Sequence, residues 1–359
     1  MERPWPPTAL SSLGLTHPIV QAPMAGGPTS PELVAAACEA GCMGSLAGAY
    51  VAPEALRQAA GEVRRRTERP FAINLFLPEP AQASEEAIAR MNARLDAYRE
   101  PLGLPLSPTP GRYADDFEAL IEVVLEVRPA VVSFTFGSPD PALIQRLQGA
   151  GIAVMGTATC VREAIALEAV GVDYVVAQGA EAGGHRATFP GAEVDARVGT
   201  MALVPQVVDQ VGVPVIAAGG IMDGRGIMAA LALGAAGVQM GTAFLTADES
   251  ATHPSHQSAI LQSSDESTAL TRVFSGRWAR GLRNRFMQDL AAEAVLPFPI
   301  QNALTRDIRQ AAARQGHPEL MSLWAGQASA LAHEGPVAEL VARWAQEASE
   351  VALRLCGRP

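Results

Sequence analysis

One short segment collects most of the groups that could carry out chemistry. Residues 177–189, AQGAEAGGHRATF, follow an apolar run and contain a glutamine, a glutamate, a histidine and an arginine among glycines and alanines. Gly183 and Gly184 would leave room for a flat ligand, and an imidazole such as that of His185 ordinarily titrates near neutrality, as a general acid or base should. Two interpretations compete: an ordinary surface loop with an isolated histidine, and a cofactor and substrate site in which His185 is the acid or base.

Two further glycine-rich segments predict an anion site. AAGGIMDGRG places Gly219 and Gly220 before a helix, and QMGTAF places Gly241 and Thr242 before another short segment. Backbone N–H groups at such turns can converge on one anion. Tight turns alone would explain either pair. Together, in a chain without lysine, the two pairs favour a phosphate held by backbone amides, with Arg225 as a further candidate ligand.

Neutral amide side chains indicate which phosphate compound fits. Asn74, Gln178 and Gln239 lie at or near predicted strand ends, and each can both donate and accept, as the edge of an isoalloxazine ring demands. A sugar phosphate or a nucleotide remains an alternative. Carboxylate pairs suited to a metal or to glycoside chemistry are missing, because Glu181 stands alone in its loop. The prediction is therefore a flavin or a related ligand, and no metal.

Composition excludes several classes of function. A formal net charge of -10 over 359 residues argues against a nucleic-acid partner. The absence of lysine excludes Schiff-base chemistry and a P-loop. The four cysteines lack zinc-like spacing, the N-terminus lacks a signal pattern, and no run approaches the ~18 apolar residues of a membrane span. We expect a cytoplasmic enzyme with reduced thiols and no membrane partner.

The elements that position these groups follow a regular pattern up to about residue 247. Eight apolar runs alternate with helical segments, and the runs begin at Pro18, Met43, Phe71, Ala130, Ile152, Asp173, Pro214 and Gly237. Near-continuous apolar strands alternating with helices predict a parallel sheet covered on both faces. Eight units fit an α/β fold of the (β/α)8 TIM-barrel type better than the alternative, a doubly wound sheet. The carboxyl ends of the strands would then meet at one active-site face.

Two parts of the chain depart from this pattern. Residues 78–128 are too long for one helix and contain a proline-rich break, which predicts an insertion after the third strand. After residue 247 the alternation stops, and about 110 residues with helical pattern follow. The predicted organisation is therefore a ligand-binding barrel over residues 1–247 and a C-terminal helical domain over residues 248–359 that covers the active-site end.

Four motifs resemble those of class I nitronate monooxygenases, formerly called 2-nitropropane dioxygenases. They are PIVQAPMAGG at 18–27, VVSFTFGSP at 131–139, VVAQGAEAGGHRATF at 175–189 and AALALGAAGVQMGTAFL at 229–245. HPSHQ and FSGRWARGLRNRF, further along, resemble the helical tail of the family. The resemblance implies a barrel that binds FMN, oxidation of alkyl nitronates such as propionate 3-nitronate, action on nitroalkanes, and O2 as the oxidant of the flavin.

The resemblance also implies roles for individual residues. His185 would be the catalytic histidine, which takes the α-proton of a neutral nitroalkane or orients the nitro group of a nitronate. The residues implied near FMN are Met24, Gly26, Asn74, Gln178, Gly183, Gly219, Gly220, Gln239, Met240, Gly241 and Thr242. Small molecules would be the only partners, and the chain would be a monomer or a homodimer.

The tail departs from the family pattern where the substrate would bind. Class I members carry tyrosines and a lysine at intervals of four near a PYP-like turn, whereas LPFPIQNALTRD here has Phe298, Asn302 and Arg306 at those spacings. Tyr113, in the insertion, is a fourth candidate. An arginine can still pair with a carboxylate, but lost hydroxyls would alter selectivity.

Three alternatives remain. The first is an FMN- and NADH-dependent enoyl-acyl-carrier-protein reductase, whose barrel is related. The second is a flavin-binding protein without turnover. The third is a flavin-free barrel such as a phosphosugar isomerase, for which Glu181 is the only carboxylate at a predicted strand end.

Overall fold

A computed structural model describes residues 5–191 and 196–357 and shows the predicted barrel. The eight-stranded sheet is parallel and runs in the order β1-β9-β8-β6-β5-β4-β3-β2. The sheet approaches closure between its edge strands, where the Gln21 amide donates to the Met43 carbonyl at 2.8 Å and the Met43 amide to the Ile19 carbonyl at 2.9 Å. The strands are β1 (Ile19–Gln21), β2 (Gly44–Ala47), β3 (Phe71–Phe76), β4 (Val131–Thr135), β5 (Ala153–Ala158), β6 (Tyr174–Gln178), β7 (Gly184–His185), β8 (Val215–Ala218), β9 (Gly237–Met240), β10 (Thr268–Thr271) and β11 (Ala279–Leu282).

Helices follow the barrel strands as the alternating pattern predicts. Each of the eight apolar runs contains one barrel strand, so the predicted (β/α)8 fold is confirmed. The helices are α1 (Pro31–Glu39), α2 (Pro53–Arg66), α3 (Glu85–Arg99), α4 (Phe117–Val127), α5 (Pro141–Gly149), α6 (Val161–Val170), α7 (Thr200–Val208), α8 (Gly224–Ala232), α9 (Thr242–Leu245), α10 (Pro254–Leu261), α11 (Arg285–Asp289), α12 (Ile300–Gln315) and α13 (Val337–Leu355).

The residues at the two ends of α1 show why local sequence patterns predict helix boundaries. Ser30 accepts a hydrogen bond from the Leu33 amide at 2.9 Å, Pro31 occupies the first helical position, and Gly41 follows the helix with φ of 85°. A side-chain cap and a proline satisfy or remove amides that have no helical partner at the start. Glycine past the end adopts the left-handed conformation at little cost.

The segment between β3 and β4 contains two helices. α4 packs against α2 and leads into β4, so α4 is the regular barrel helix. The inserted part is therefore α3 with its flanking loops, and α3 packs against α12 of the C-terminal segment. Arg99 fixes this contact: its fully buried guanidinium donates from Nε to Asp307 at 2.8 Å and from Nη2 to the Leu304 carbonyl at 2.7 Å.

The segment after residue 247 contains two strands in addition to its helices. β10 and β11 form an antiparallel pair, and β11 also pairs with the short β7, which belongs to the loop after β6. The prediction of a purely helical tail missed these strands. A small sheet therefore joins the tail to the loop that carries His185.

No helix among residues 5–191 and 196–357 combines the length and the apolar character needed to cross a lipid bilayer.

Candidate active site

A cavity of about 860 Å³ lies at the carboxyl ends of the barrel strands, between them and the C-terminal segment. Small-molecule sites span roughly 300–1,000 Å³, so the cavity has room for a cofactor and a small substrate. Most of the residues predicted to act at the site line it: Met24, Gly26, Asn74, Gln178, Gly183, His185, Gly219, Gly220, Gln239, Gly241, Thr242, Asn302 and Arg306.

Three predicted residues do not line the cavity. Met240 packs in the core between the sheet and the helices, because successive strand residues alternate and its neighbour Gln239 takes the inward position. Tyr113 packs against the apolar cluster that α3 forms with the tail. Phe298 is buried beside the site, with its ring 6.2 Å from the His185 ring and 5.4 Å from that of Phe136.

Backbone pairing holds His185 in place. The residue belongs to β7, where it stands opposite Ala279 of β11. Gln178 fixes the other side of the loop, since its Nε2 donates to the His185 carbonyl at 3.0 Å and its Oε1 accepts from the Ala187 amide at 2.9 Å. Gln178 lines the cavity and at the same time positions the histidine.

A serine from the tail orients the imidazole. His185 Nε2 lies 2.9 Å from Ser275 Oγ, and that hydroxyl lies 3.3 Å from the Arg277 carbonyl. The hydrogen bond between Ser275 and Nε2 therefore fixes the direction of the ring.

The surroundings of His185 keep it neutral. Aromatic rings pack around it, with centroids 5.7 Å away for Phe136 and Trp324 and 6.1 Å away for Phe76. Burial, reinforced by the positive charges of Arg277 and Arg309, lowers the pKa of His185 to about 3. At neutral pH the imidazole is therefore unprotonated.

Two glycines follow β8 at the wall of the cavity. Gly219 and Gly220 have φ of 113° and 72°, and their amides donate to no backbone carbonyl within the described parts of the chain. Arg225, the further candidate, does not line the cavity. It pairs with Asp223, which caps α8 by accepting from the Arg225 amide at 2.9 Å.

Asn74 lies on the opposite side of the barrel from these glycines, because β3 and β8 are four strands apart in either direction around the sheet. Its Nδ2 donates to Ser133 Oγ at 2.9 Å and to Thr135 Oγ1 at 3.2 Å. Its side-chain oxygen is therefore the atom that can accept from a ligand in the cavity.

Gly183 lets the tail approach the loop after β6. A Cβ at this position would lie 2.6 Å from the Ala325 carbonyl carbon and 2.6 Å from the Gly326 nitrogen, and the Gly326 amide in turn donates to Thr242 Oγ1 at 3.0 Å. Only glycine permits this close approach of two backbones.

Replacement of Gly183 by alanine is therefore expected to lower the free energy of unfolding by about 1–3 kcal/mol, since the backbone must shift to relieve the clash. Urea denaturation measures the change. Gly111→Ala is the matched control, because nothing lies within 4 Å of a Cβ there. Equal stability of the two variants would show that the loop and the tail are not packed as described.

Several cavity residues escaped the sequence-based prediction. Tyr50 follows β2, Arg309 lies three residues after Arg306 on α12, and His253, His256 and Trp324 come from the tail. Arg309 had a signal in the sequence, since residues three apart share a helix face. The tail histidines had none, because their approach to the barrel depends on tertiary packing.

The histidines of the tail have structural partners. His253 caps α10, with Nδ1 accepting from the Ser255 amide at 3.2 Å. His256 Nε2 lies 3.1 Å from the Trp324 carbonyl, and burial lowers the pKa of His256 to about 4.

Comparisons with known proteins agree with this geometry. The chain is similar to the probable nitronate monooxygenase of Staphylococcus haemolyticus, with 43% identity over 340 residues that cover 94% of this chain and 95% of that protein. Among solved structures, it is similar to nitroalkane oxidase from Streptomyces ansochromogenes, with a TM-score of 0.92 and 42% identity over 97% of this chain and 100% of that one. FabK from Thermotoga maritima has a TM-score of 0.78 and 32% identity, with 98% of each chain covered.

A family model supports the same assignment over nearly the whole length. The nitronate monooxygenase model matches residues 7–347, a range that includes the barrel strands, the insertion and most of the tail. The chain therefore belongs to the nitronate monooxygenase family of oxidoreductases.

Proposed function

We propose that this enzyme binds FMN and uses O2 to oxidise alkyl nitronates, such as propionate 3-nitronate, and nitroalkanes. The observation that carries the proposal is His185: a neutral imidazole held at the wall of a glycine-lined cavity at the active-site end of the barrel. A base in a largely apolar site, with no carboxylate pair among the described residues that line the cavity, suits removal of a proton from carbon better than hydrolysis.

The cavity fits FMN at both ends. The amides of Gly219 and Gly220, together with Gly241 and Thr242, would hold the phosphate, because they stand side by side at the ends of adjacent strands. Asn74 and Gln239 would offer polar side chains to the isoalloxazine ring of the cofactor. Residues 1–247 would thus hold the cofactor, and residues 248–359 would close the site.

The side chains of this chain then have separate tasks. Bound FMN would supply the electron acceptor for the substrate and pass electrons to O2. The imidazole of His185 accepts the α-proton of a neutral nitroalkane, or it orients the nitro group of a nitronate. Ser275 holds the ring by its hydrogen bond to Nε2. The rings of Phe76, Phe136 and Trp324 keep water from the imidazole.

The lowered pKa of His185 predicts an unusual pH dependence. Its proton acceptor is present at every pH above about 3, so kcat/KM for neutral nitroethane should show no loss from histidine protonation between pH 8 and pH 5. Steady-state rates with nitroethane across that range measure this. An ascending limb near pH 6.5 that disappears in His185→Asn would contradict it.

Analysis of the purified protein tests the cofactor. We expect a yellow protein with a flavin absorption spectrum, and we expect FMN as the compound released on denaturation. Added FMN should raise the melting temperature of protein from which the flavin has been removed. A colourless protein that gains no thermal stability from FMN would contradict the proposal.

The similarity to FabK from Thermotoga maritima favours a second candidate. In this case FMN would pass electrons from NADH to an enoyl thioester. Turnover of an enoyl thioester with NADH, at a rate above that of nitronate oxidation, would favour this candidate over the first.

A further inference from the structure

We propose that the Tyr50 hydroxyl and the Arg309 guanidinium bind a carboxylate on the substrate, at the end remote from the nitronate, and so determine specificity. The inference rests on the proposed function. It deepens that function by naming two residues that recognise the carboxylate of a substrate such as propionate 3-nitronate.

Contacts within the protein hold the backbone and the ring of Tyr50 in place but leave its hydroxyl group without a partner among the described residues. Its φ is 67°, which few residues other than glycine adopt, and its amide donates to Asp115 Oδ2 at 2.7 Å. Its ring packs edge-on against Phe76 at 5.5 Å. The hydroxyl is buried and has no hydrogen-bond partner among the described residues, yet Tyr50 lines the cavity. A buried hydroxyl of this kind is expected to bond to a ligand.

Arg309 lines the same cavity and lies close enough for its positive charge to act on the Tyr50 hydroxyl. Its Nη2 donates to Asn302 Oδ1 at 2.8 Å and to the Asn302 carbonyl at 2.9 Å, and these acceptors are neutral. Arg306, the next cationic residue on this face of α12, lies with its guanidinium carbon 5.7 Å from the Tyr50 ring centroid. Within the described residues, neither arginine forms an ion pair with a carboxylate.

Charge and protonation suit an anion. Burial lowers the pKa of Arg309 to about 10, so the guanidinium still carries its charge at neutral pH. Burial raises the pKa of Tyr50 above its usual range, and the hydroxyl therefore remains a donor. Arg277, which also faces Tyr50, is already paired with Glu79 at 2.7 Å. Arg306 and Arg309 have no carboxylate partner among the described residues, and the Tyr50 hydroxyl beside them is an unused donor. A carboxylate on the substrate would complete this site.

The site at Tyr50 and Arg309 lies away from the glycines that we propose to hold the phosphate of FMN. Tyr50 follows β2, whereas Gly219 and Gly220 follow β8, which is three strands away around the closed sheet. The Phe76 ring packs edge-on against both side chains, with its centroid 5.5 Å from that of the Tyr50 ring and 6.1 Å from that of the His185 ring. All three side chains line the same cavity, so a substrate with its nitronate at His185 would extend along Phe76 to place a carboxylate at Tyr50.

Two variants test the assignment in the holoenzyme. Tyr50→Phe and Arg309→Gln should each lower the ratio of kcat/KM for propionate 3-nitronate to kcat/KM for propyl 1-nitronate by at least about tenfold, mainly through KM. Tyr174→Phe, at the start of β6, and Arg314→Gln, at the exposed end of α12, are the matched controls. A ratio that stays within about twofold of the wild-type value in Tyr50→Phe would overturn the assignment.

A binding measurement separates this inference from the proposed activity. Succinate resembles propionate 3-nitronate in length and charge and cannot be oxidised in the same way. Calorimetric titration should show that Tyr50→Phe and Arg309→Gln each weaken succinate binding to the holoenzyme at least about tenfold, whereas Tyr174→Phe leaves it unchanged. A succinate affinity that is unchanged in Tyr50→Phe and Arg309→Gln would overturn the carboxylate site, whatever substrate the enzyme oxidises.

Discussion

Replacement of His185 by alanine is expected to lower kcat/KM for neutral nitroethane by about 10²–10⁴-fold, the usual contribution of a positioned general base. The loss should be smaller for ethyl nitronate, about 10-fold to 100-fold. This substrate has already lost its α-proton, so the variant removes only the hydrogen bond between the imidazole and the charged nitronate. Steady-state kinetics with the two substrates at one pH measures both losses.

The difference between the two losses identifies the role of the histidine. FMN should remain bound in His185→Ala, because the glycine amides at β8 and β9 do not depend on the imidazole. His317→Ala, a variant of an exposed histidine beside Glu319, serves as the control and should retain the wild-type rates. Equal losses for the nitroalkane and the nitronate would contradict proton abstraction by His185.

Replacement of Arg99 by methionine is expected to lower the free energy of unfolding by about 3 kcal/mol. This is the low end of the cost of breaking a buried ion pair, since Asp96 and Asp307 are partly exposed to water and are screened there. The Leu304 carbonyl and Asn92 Oδ1 would also lose a donor. Urea denaturation followed by circular dichroism measures the change.

The same helix provides a matched control for this variant. Arg90 also lies on α3, but it is 73% exposed and stands 3.8 Å from Glu86. Arg90→Met should change the free energy of unfolding by less than about 0.5 kcal/mol. Similar stabilities of Arg99→Met and Arg90→Met would show that Arg99 does not join the insertion to the tail.

The barrel was predictable because its signals are local. Each apolar run is bounded by glycine or a polar turn, and helices such as α1 begin with a capping residue and end near a glycine. The pair β10 and β11 was not predictable in the same way. Each strand has four residues, and β11 is stabilised by pairing with β7, far away in the sequence. Its conformation depends on contacts that no local pattern reveals.

The site was predictable where it consists of strand ends. Gln178 ends its strand, Asn74 and Gln239 lie within the last three residues of theirs, and the parallel sheet brings all three to the cavity. Tyr113 and Phe298 depend instead on how the insertion and the tail pack, which the sequence does not reveal. Tyr50 also lies beyond a strand end. The only sequence feature that indicated a place at the site was its position shortly after the second apolar run.

Anaerobic mixing in a stopped-flow instrument tests the central claim most directly. We predict that propionate 3-nitronate or an alkyl nitronate rapidly bleaches the absorbance of the bound flavin, and that NADH does not. Admission of O2 should then restore the absorbance. Rapid bleaching by NADH, with none by any nitronate, would contradict the account.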